Sequence, residues 1–434
     1  MNRRKSILFI TGLISLTAFC LLTNACKKEH AETITIEIAE PVSGYSGSFG
    51  DSITVRAIIQ SEAIIQTVSI ALVDADQLTV NTPLLVHPSS NKVELFETIA
   101  ADNELSPSGN YYVEVRATTK NASAIGKVSI YLQGIPKKLD AVYVLSRSDS
   151  FSFTISKIDS GQLAFEKTVS GDYSGSAISS IHHCLYTAGV ATGPVHCFDL
   201  EDFQENFTIQ PPNPLPLTSF TTLSFSNELC FIGYRNGAIR GFDSFGRRQY
   251  DTNDDPYFIP QHITRSGDYV LAELFPAAAG QKHLAAYFYP SGVRRQLLQI
   301  DFDVQGIAPV TADESLLFTI RNNKIEIYNY SVAGNYVDLV KQGSTMELHG
   351  VLEFRPGEYL LAATQGLYHY RKNVNSLLQV DARPSQSVEY DDVHNLLYCA
   401  SGSVVRILSA NDFHELNVIN SPDSILAVRI LYNK

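Results

Sequence analysis

At 434 residues the chain exceeds what one ordinary hydrophobic core supports, so two domains are the natural expectation. Hydrophobic residues make up 44% and charged residues 18%, a globular composition that excludes a disordered chain. The net charge of −12 with no basic block disfavours a nucleic-acid partner, while 22 Tyr and 22 Phe without a single Trp lean toward β-structure.

Arg3, Arg4 and Lys5 form a positive leader, and the apolar run 7–22 is too compact for a stable membrane span. The run ends in Leu22-Thr23-Asn24-Ala25-Cys26, which resembles the lipobox of bacterial lipoproteins. The resemblance implies a signal peptide over 1–25 and diacylation of Cys26, the palmitate-type anchor of the mature N-terminus. Thr23 departs from the usual aliphatic residue, and a plain secretory signal or an uncleaved anchor is the alternative. Loss of 1–25 would leave 30 basic against 45 acidic residues, a net charge of −15. Two or three acyl chains hold a protein at a membrane without a spanning helix. Lys27, where many inner-membrane lipoproteins carry Asp, favours the outer membrane by the same resemblance. Lys27-Lys28-Glu29-His30 resembles the charged stretches that direct Bacteroidetes-type lipoproteins to the cell surface. The implied location is the outer membrane, periplasmic or surface-facing, with the surface favoured.

Residues 26–32 then read as a lipidated tether, and from Thr33 the pattern becomes period two. Candidate strands lie at 34–39, 52–59, 67–73, 93–99, 111–117 and 126–132, with no helical periodicity between them. Short strands at this density predict an antiparallel sandwich over 33–134. The segment Gly109-Asn110-Tyr111-Tyr112-Val113-Glu114-Val115 resembles the late strand of immunoglobulin-like modules in bacterial surface proteins. Gly134-Ile135-Pro136-Lys137-Lys138 reads as a linker.

Beyond it, one unit recurs. In Asn227-Glu228-Leu229-Cys230-Phe231-Ile232-Gly233 a polar turn leads into an apolar strand, Asn236-Gly237 supplies a hairpin turn, and 238–242 forms the partner strand. Equivalent positions Tyr143, Leu185, Phe231, Val270, Leu317, Leu360 and Leu397 are spaced by 42, 46, 39, 47, 43 and 37 residues. A period of this length with four strands per unit marks a β-propeller. The repeats resemble those of quinoprotein-like and YVTN-type propellers over 139–434, although the docking tryptophans of quinoprotein blades are absent. The fold class expected is therefore all-β, an immunoglobulin-like sandwich followed by a seven-bladed propeller. The first hairpin lacks an inner strand, and 425–430 is spare at the C-terminus. That segment would complete the first blade and seal an open edge, with Leu426, Val428 and Ile430 facing a neighbour.

Six cysteines include Cys26, and no C-x-x-C pair suggests zinc or redox exchange. With the hairpin turn centred between Val190 and Ala191, Cys184 and Cys197 sit opposite one another, either as a cross-strand disulfide or, the favoured reading, as two small core thiols. His182, His183 and His196 read as polar turn fillers and not as a metal set. Asp251-Thr252-Asn253-Asp254-Asp255 has the oxygen spacing of a calcium loop but lacks its glycine and distal glutamate, so no metal site is assigned. No catalytic motif, phosphate loop or cofactor fingerprint occurs; no catalytic residue and no cofactor are assigned, and a non-enzyme is favoured.

Propellers bind ligands mainly where each outer strand returns to the next inner one. Those returns carry Tyr173, Asp254, Tyr257, Phe258, His262, Phe302, Asp303, His349 and Arg383, an aromatic and polar mixture suited to a sugar or a peptide. The reading is a lipid-anchored binding module for a glycan or protein partner, in the setting of a nutrient-uptake system. The alternatives are a scaffold in outer-membrane assembly and a glycosidase or lyase built on the ring's central face.

Overall fold

The computed structural model describes residues 32–434 except 104, 190–192, 213–218 and 227. The leader, Cys26 and nearly all of the tether therefore lie outside the described residues. Apart from one 3-10 turn, Lys372–Val374, the regular elements among the described residues are all strands. They form two compact units, one ending at Pro136 and one spanning Lys137–Lys434.

The first unit is two sheets sharing one core. Strands Ile34–Glu40, Ser52–Ile65 and Ser90–Ala100 make one sheet. Tyr45–Ser48, Ser123–Gln133, Gly109–Thr118, Thr67–Val73 and Leu84–Val86 make the other, in that order. Alternate residues such as Ile53, Val55, Ala57 and Ile59 point inward and meet Val113, Val115 and Ile130. Two strands escape the sequence pattern for physical reasons. Tyr45–Ser48 is short and polar and pairs parallel to Ser123–Gln133, and Leu84–Val86 is a three-residue edge. Tyr111 is buried with its hydroxyl donated to the Pro107 carbonyl at 2.7 Å, which pins the start of its strand.

The second unit contains seven four-stranded antiparallel sheets among the described residues. The innermost strands of the second to seventh are Gly175–Ser179, Phe220–Ser226, Phe258–Ser266, Asp303–Pro309, Leu348–Arg355 and Ser387–Asp391. In the first sheet the innermost strand is Ser424–Tyr432, hydrogen-bonded to Leu139–Arg147. Each innermost strand neighbours the next, and Ser424–Tyr432 neighbours both Ser387–Asp391 and Gly175–Ser179, so the ring closes. This is a β-propeller arrangement around a central channel.

The second strand of each sheet is buried on both faces, which explains its unbroken apolar run. In Cys184–Ala188, Leu185 packs with Leu145 of the first sheet, whereas Cys184 and Tyr186 pack with Cys230 and Ile232 of the third. The same two-sided burial recurs at Leu360 and Leu361, which face the seventh and fifth sheets respectively.

Turn chemistry differs from the expectation at one point. At Asn236-Gly237 only the glycine has positive φ (91°), and Gly237 N–H donates to the Tyr234 carbonyl at 2.9 Å, so the loop is a turn followed by a left-handed residue. A Cβ on Gly237 would lie 2.0 Å from the Asp255 carbonyl oxygen, so glycine is required. Two-residue turns with positive φ at both centres occur instead at Ser160-Gly161, at 49° and 80° between the paired Asp159 and Gln162, and at Asn322-Asn323, at 51° and 61° between the paired Arg321 and Lys324.

The faces of the closing strand also differ from strict alternation. A register shift between Ile425 and Ala427 sends Leu426 to the second-sheet side with Leu431, while Ile425, Val428 and Ile430 face the seventh sheet. Burying Ile425, Val428, Ile430 and Leu431 contributes on the order of 5–10 kcal/mol before chain entropy. That rivals the net stability of a typical domain, about 5–15 kcal/mol. Truncation after Pro422 is therefore expected to cause aggregation, whereas removing Asn433 and Lys434 should cost far less. A monomeric truncated protein with an unchanged melting temperature would contradict the closure.

Candidate functional site

The strand order within each sheet brings two kinds of connection to one end of the ring. These are the returns from an outer strand to the next inner strand and the turns between each second and third strand. A depression of about 530 Å³ at this end lies between the fifth and sixth sheets. Asp303 and Gln305 come from the fifth sheet's inner strand, Asn323 from its tight turn, Met346 and Glu347 from the return, Leu348 and His349 from the start of the sixth sheet's inner strand and Gln365 from the sixth sheet's turn.

Four polar residues in and beside it, Glu347, His349, Thr364 and Gln365, are held by one another. Glu347 N–H donates to Gln365 Oε1 at 2.9 Å, and the Thr364 hydroxyl donates to Glu347 Oε2 at 3.0 Å. With that proton committed, Thr364 Oγ1 accepts from His349 Nε2 at 2.7 Å, which leaves His349 Nδ1 as an acceptor. Asp303 is ion-paired with Lys282. Gly366, at φ 138°, anchors the turn where a Cβ would meet the Asp381 carbonyl oxygen at 2.1 Å.

His349 also borders a second depression of about 330 Å³ in the channel, formed by the inner strands of the sixth, seventh, first and second sheets. Here Arg429 Nη1 donates to Glu389 Oε1 at 2.6 Å and Arg429 Nε to the Ser176 carbonyl at 2.8 Å. Tyr173 Oη lies 2.8 Å from Ser176 Oγ. Burial raises the Glu389 carboxyl above its ordinary range, with Arg429 opposing the shift. Burial raises the Tyr173 phenol as well.

Across the channel, His262 lines a smaller pocket of about 200 Å³ with Thr222–Ser224 and Gly306. It sits in a bulge at φ 44°, and burial together with the Lys282 charge pushes its imidazole down to about 4, so it is neutral. On the rim, Tyr257 and Phe258 border an apolar pocket of about 360 Å³ with Pro276 and Ala277–Gly280. Tyr257 is 76% exposed, and Phe258 packs edge-on against His283 at 5.0 Å.

The nine candidate residues thus divide. Asp303 and His349 share the large depression, His349 and Tyr173 the channel pocket, and Tyr257 and Phe258 the rim. Phe302 belongs to the core, 4% exposed and stacked on Tyr328 at 4.7 Å, because the return there is only two residues long. Arg383 has its charge matched by Asp381 and Glu415, beside the buried Arg406–Asp381 pair. Asp254 is exposed, with Arg240 at 4.0 Å. The oxygen-rich run around it turns its carboxylates to guanidinium groups. Asp251 meets Arg240 at 3.3 Å and Arg248 at 2.9 Å, and Asp255 meets Arg294 at 2.8 Å.

The cysteine register needs correction. Cys184 pairs with Asp199 and Cys197 with Tyr186, because the hairpin centre falls one residue later than assumed. The two are diagonal neighbours on one face, both buried and free, and Cys184 Sγ donates to the His182 carbonyl at 3.0 Å. His182 and His183 lie on the opposite end of the sheet from the depression, and His196 pairs with Glu205.

Gln305, Asn323, Glu347, Gln365, Glu389 and Arg429 were not among the sequence candidates. The omission has a structural cause: the second-to-third strand turns rise to the same end as the returns, and inner strands point polar groups into the channel. The Asn322-Asn323 and Gln365-Gly366 pairs were the available signal.

The sequence matches no protein-family model and no curated protein. Among solved structures it is similar to a quinoprotein alcohol dehydrogenase-like protein from Bacteroides thetaiotaomicron, at 10% identity and a TM-score of 0.49, over 92% of this chain and 99% of that one. A computationally designed protein is similar at 11% identity and a TM-score of 0.46, over 68% of this chain and 91% of that one. The Dos1 propeller is similar at 12% identity and a TM-score of 0.45, over 65% of this chain and 82% of that one. None of these likenesses carries a function over to this chain.

A buried carboxyl near this end gives a direct test of the site's electrostatics. Glu273 is fully buried; its Oε1 accepts Val304 N–H at 3.1 Å, and its Oε2 has no hydrogen-bond partner among the described residues. Burial pushes the carboxyl up from 4.5 to about 7, against the pull of Val304 N–H and Lys282. The folded state thus favours the protonated acid, a contribution present below about pH 4.5 and lost as pH rises through about 7. Glu273→Gln is expected to stabilise the protein by about 3 kcal/mol near pH 8 and by little near pH 4. Thermal unfolding at both values checks this, and an equal effect at both would contradict it.

Proposed function

We propose that the protein is an outer-membrane lipoprotein, facing the cell surface, whose propeller is a non-catalytic binding module for a glycan or protein partner. The signal peptide occupies 1–25, Cys26 carries the lipid and 26–32 is the tether. Residues 33–134 form an immunoglobulin-like spacer and 139–434 a seven-bladed propeller. The spacer assignment draws on the two-sheet core and on the Tyr111 hydroxyl bonded back to Pro107, the contact made by a tyrosine corner. The blade count draws on the seven four-stranded sheets and the closing strand.

The observation that carries the binding reading is the pair of adjoining depressions that meet at His349. They combine preset polar groups with an apolar floor at the end of the ring where connections converge. A glycosidase or lyase reading finds Glu389, with its raised carboxyl, and Tyr173 in the channel. Glycoside hydrolysis generally uses a carboxylate pair, and Glu389 is already bound to Arg429. The binding reading is therefore preferred.

Cys26→Ala should convert the protein from membrane-attached to soluble, because acylation is the proposed anchor. Fractionation of cells expressing the variant checks this. Persistent attachment after a high-salt wash would overturn the lipoprotein assignment.

A further inference from the structure

We propose that the depression between the fifth and sixth sheets binds an uncharged oligosaccharide, a proposal that rests on the propeller being a binding module. The first reason is the chemistry of its free groups. The amides of Gln305 and Asn323 carry no side-chain hydrogen bond among the described residues. Gln365 has used its oxygen on Glu347 N–H and keeps its amide donors, while Glu347 Oε1 and His349 Nδ1 remain as acceptors. Donors and acceptors are thus mixed around one rim. A sugar hydroxyl both donates and accepts, so adjacent hydroxyls are the natural complement of such a set.

The second reason is charge. No Lys or Arg lines the depression, and Lys282, which pairs with the lining residue Asp303, is already neutralised. An anionic ligand therefore meets the Glu347 carboxylate with no counter-charge in the lining, which costs binding through desolvation and repulsion. A cationic ligand meets one carboxylate that is solvent-exposed and worth little.

The third reason is the floor. Met346 and Leu348 are core residues, 3% and 4% exposed, and with Ile320 they close the bottom of the depression beneath the polar rim. That layering suits a pyranose ring, whose C–H face is apolar and whose edge is hydroxylated. A volume of about 530 Å³ lies within the range of small-ligand pockets, roughly 300–1,000 Å³, and exceeds the need of one sugar ring. The groups are also held in place. Asn323 is fixed by its two-residue turn and Gln365 by Gly366 and Glu347, so little ordering is left for binding.

The test uses the mature chain as secreted Cys26→Ala protein and isothermal titration with defined trisaccharides. The uncharged probes are maltotriose, cellotriose, mannotriose and tri-N-acetylchitotriose, and the charged probes are trigalacturonate and chitosan trimer. At least one uncharged probe should bind, with an affinity that does not change between ~50 mM and ~500 mM salt. Gln365→Ala and Glu347→Ala should each weaken it by about tenfold, the value of one well-placed hydrogen bond. Tyr257→Ala, at the separate rim pocket, should leave it unchanged. Binding of the charged probes alone, of no probe, or binding lost only in Tyr257→Ala, would overturn the proposal. The broader reading has its own arm: crosslinking on intact cells, with the same variants. A protein partner lost with Gln365→Ala and Glu347→Ala, together with silent titrations, would sink the sugar proposal and leave the binding module standing. No probe and no crosslinked partner would remove both.

Discussion

A ring of sheets whose inner strands each pack on the next has one point of failure, the place where the first sheet meets the last. Here the first sheet enters the ring without an inner strand of its own, and Ser424–Tyr432 fills that position by pairing with Leu139–Arg147. The strand fastens three things together. Its backbone completes a ladder, with Asn433 Oδ1 accepting Lys138 N–H at 2.7 Å just beyond it. One face packs on the seventh sheet through Ile425, Val428 and Ile430, and the other packs on the second through Leu426 and Leu431. Removing it would open a sheet edge and strip two apolar interfaces in one step.

The same strand links closure to the binding end. Arg429 extends from it into the channel, where it holds Glu389 of the seventh sheet and the Ser176 carbonyl of the second. A charged pair in this position is stable only while its hydrogen bonds are complete. The channel pocket therefore exists in its present form because the ring is shut. The larger depression depends instead on two neighbouring sheets whose turns are fixed by Asn322-Asn323 and Gly366. The end of the ring thus joins a pocket set by long-range closure to one set by local turn geometry.

Much of the propeller was legible because each sheet is covered on both sides. That burial makes the second strand of each unit a solid apolar run, as in Leu229-Cys230-Phe231-Ile232 and Tyr359-Leu360-Leu361-Ala362, and such runs can be counted along a chain. Facing and register were less legible, since one bulge reverses which side a residue meets. The shift at Ile425 to Ala427 moved Leu426, and a one-residue difference in a turn centre moved Cys197 from Cys184 to Tyr186. The site was partly visible for a related reason. His349, Asp303 and Tyr173 lie on or beside returns, whereas Gln365 and Asn323 reach the same end from hairpin turns, and loop position alone could not tell the core residue Phe302 from its exposed neighbour Asp303.

Native-state hydrogen exchange resolved by strand tests the closed ring most directly. Amides of Ser424–Tyr432 should exchange as slowly as those of the central strands Leu229–Tyr234 and Glu358–Ala363, and should lose protection with them in one cooperative opening. Fast exchange confined to 424–432, with the other sheets still protected, would show that the ring stands without its C-terminal strand and would contradict the account.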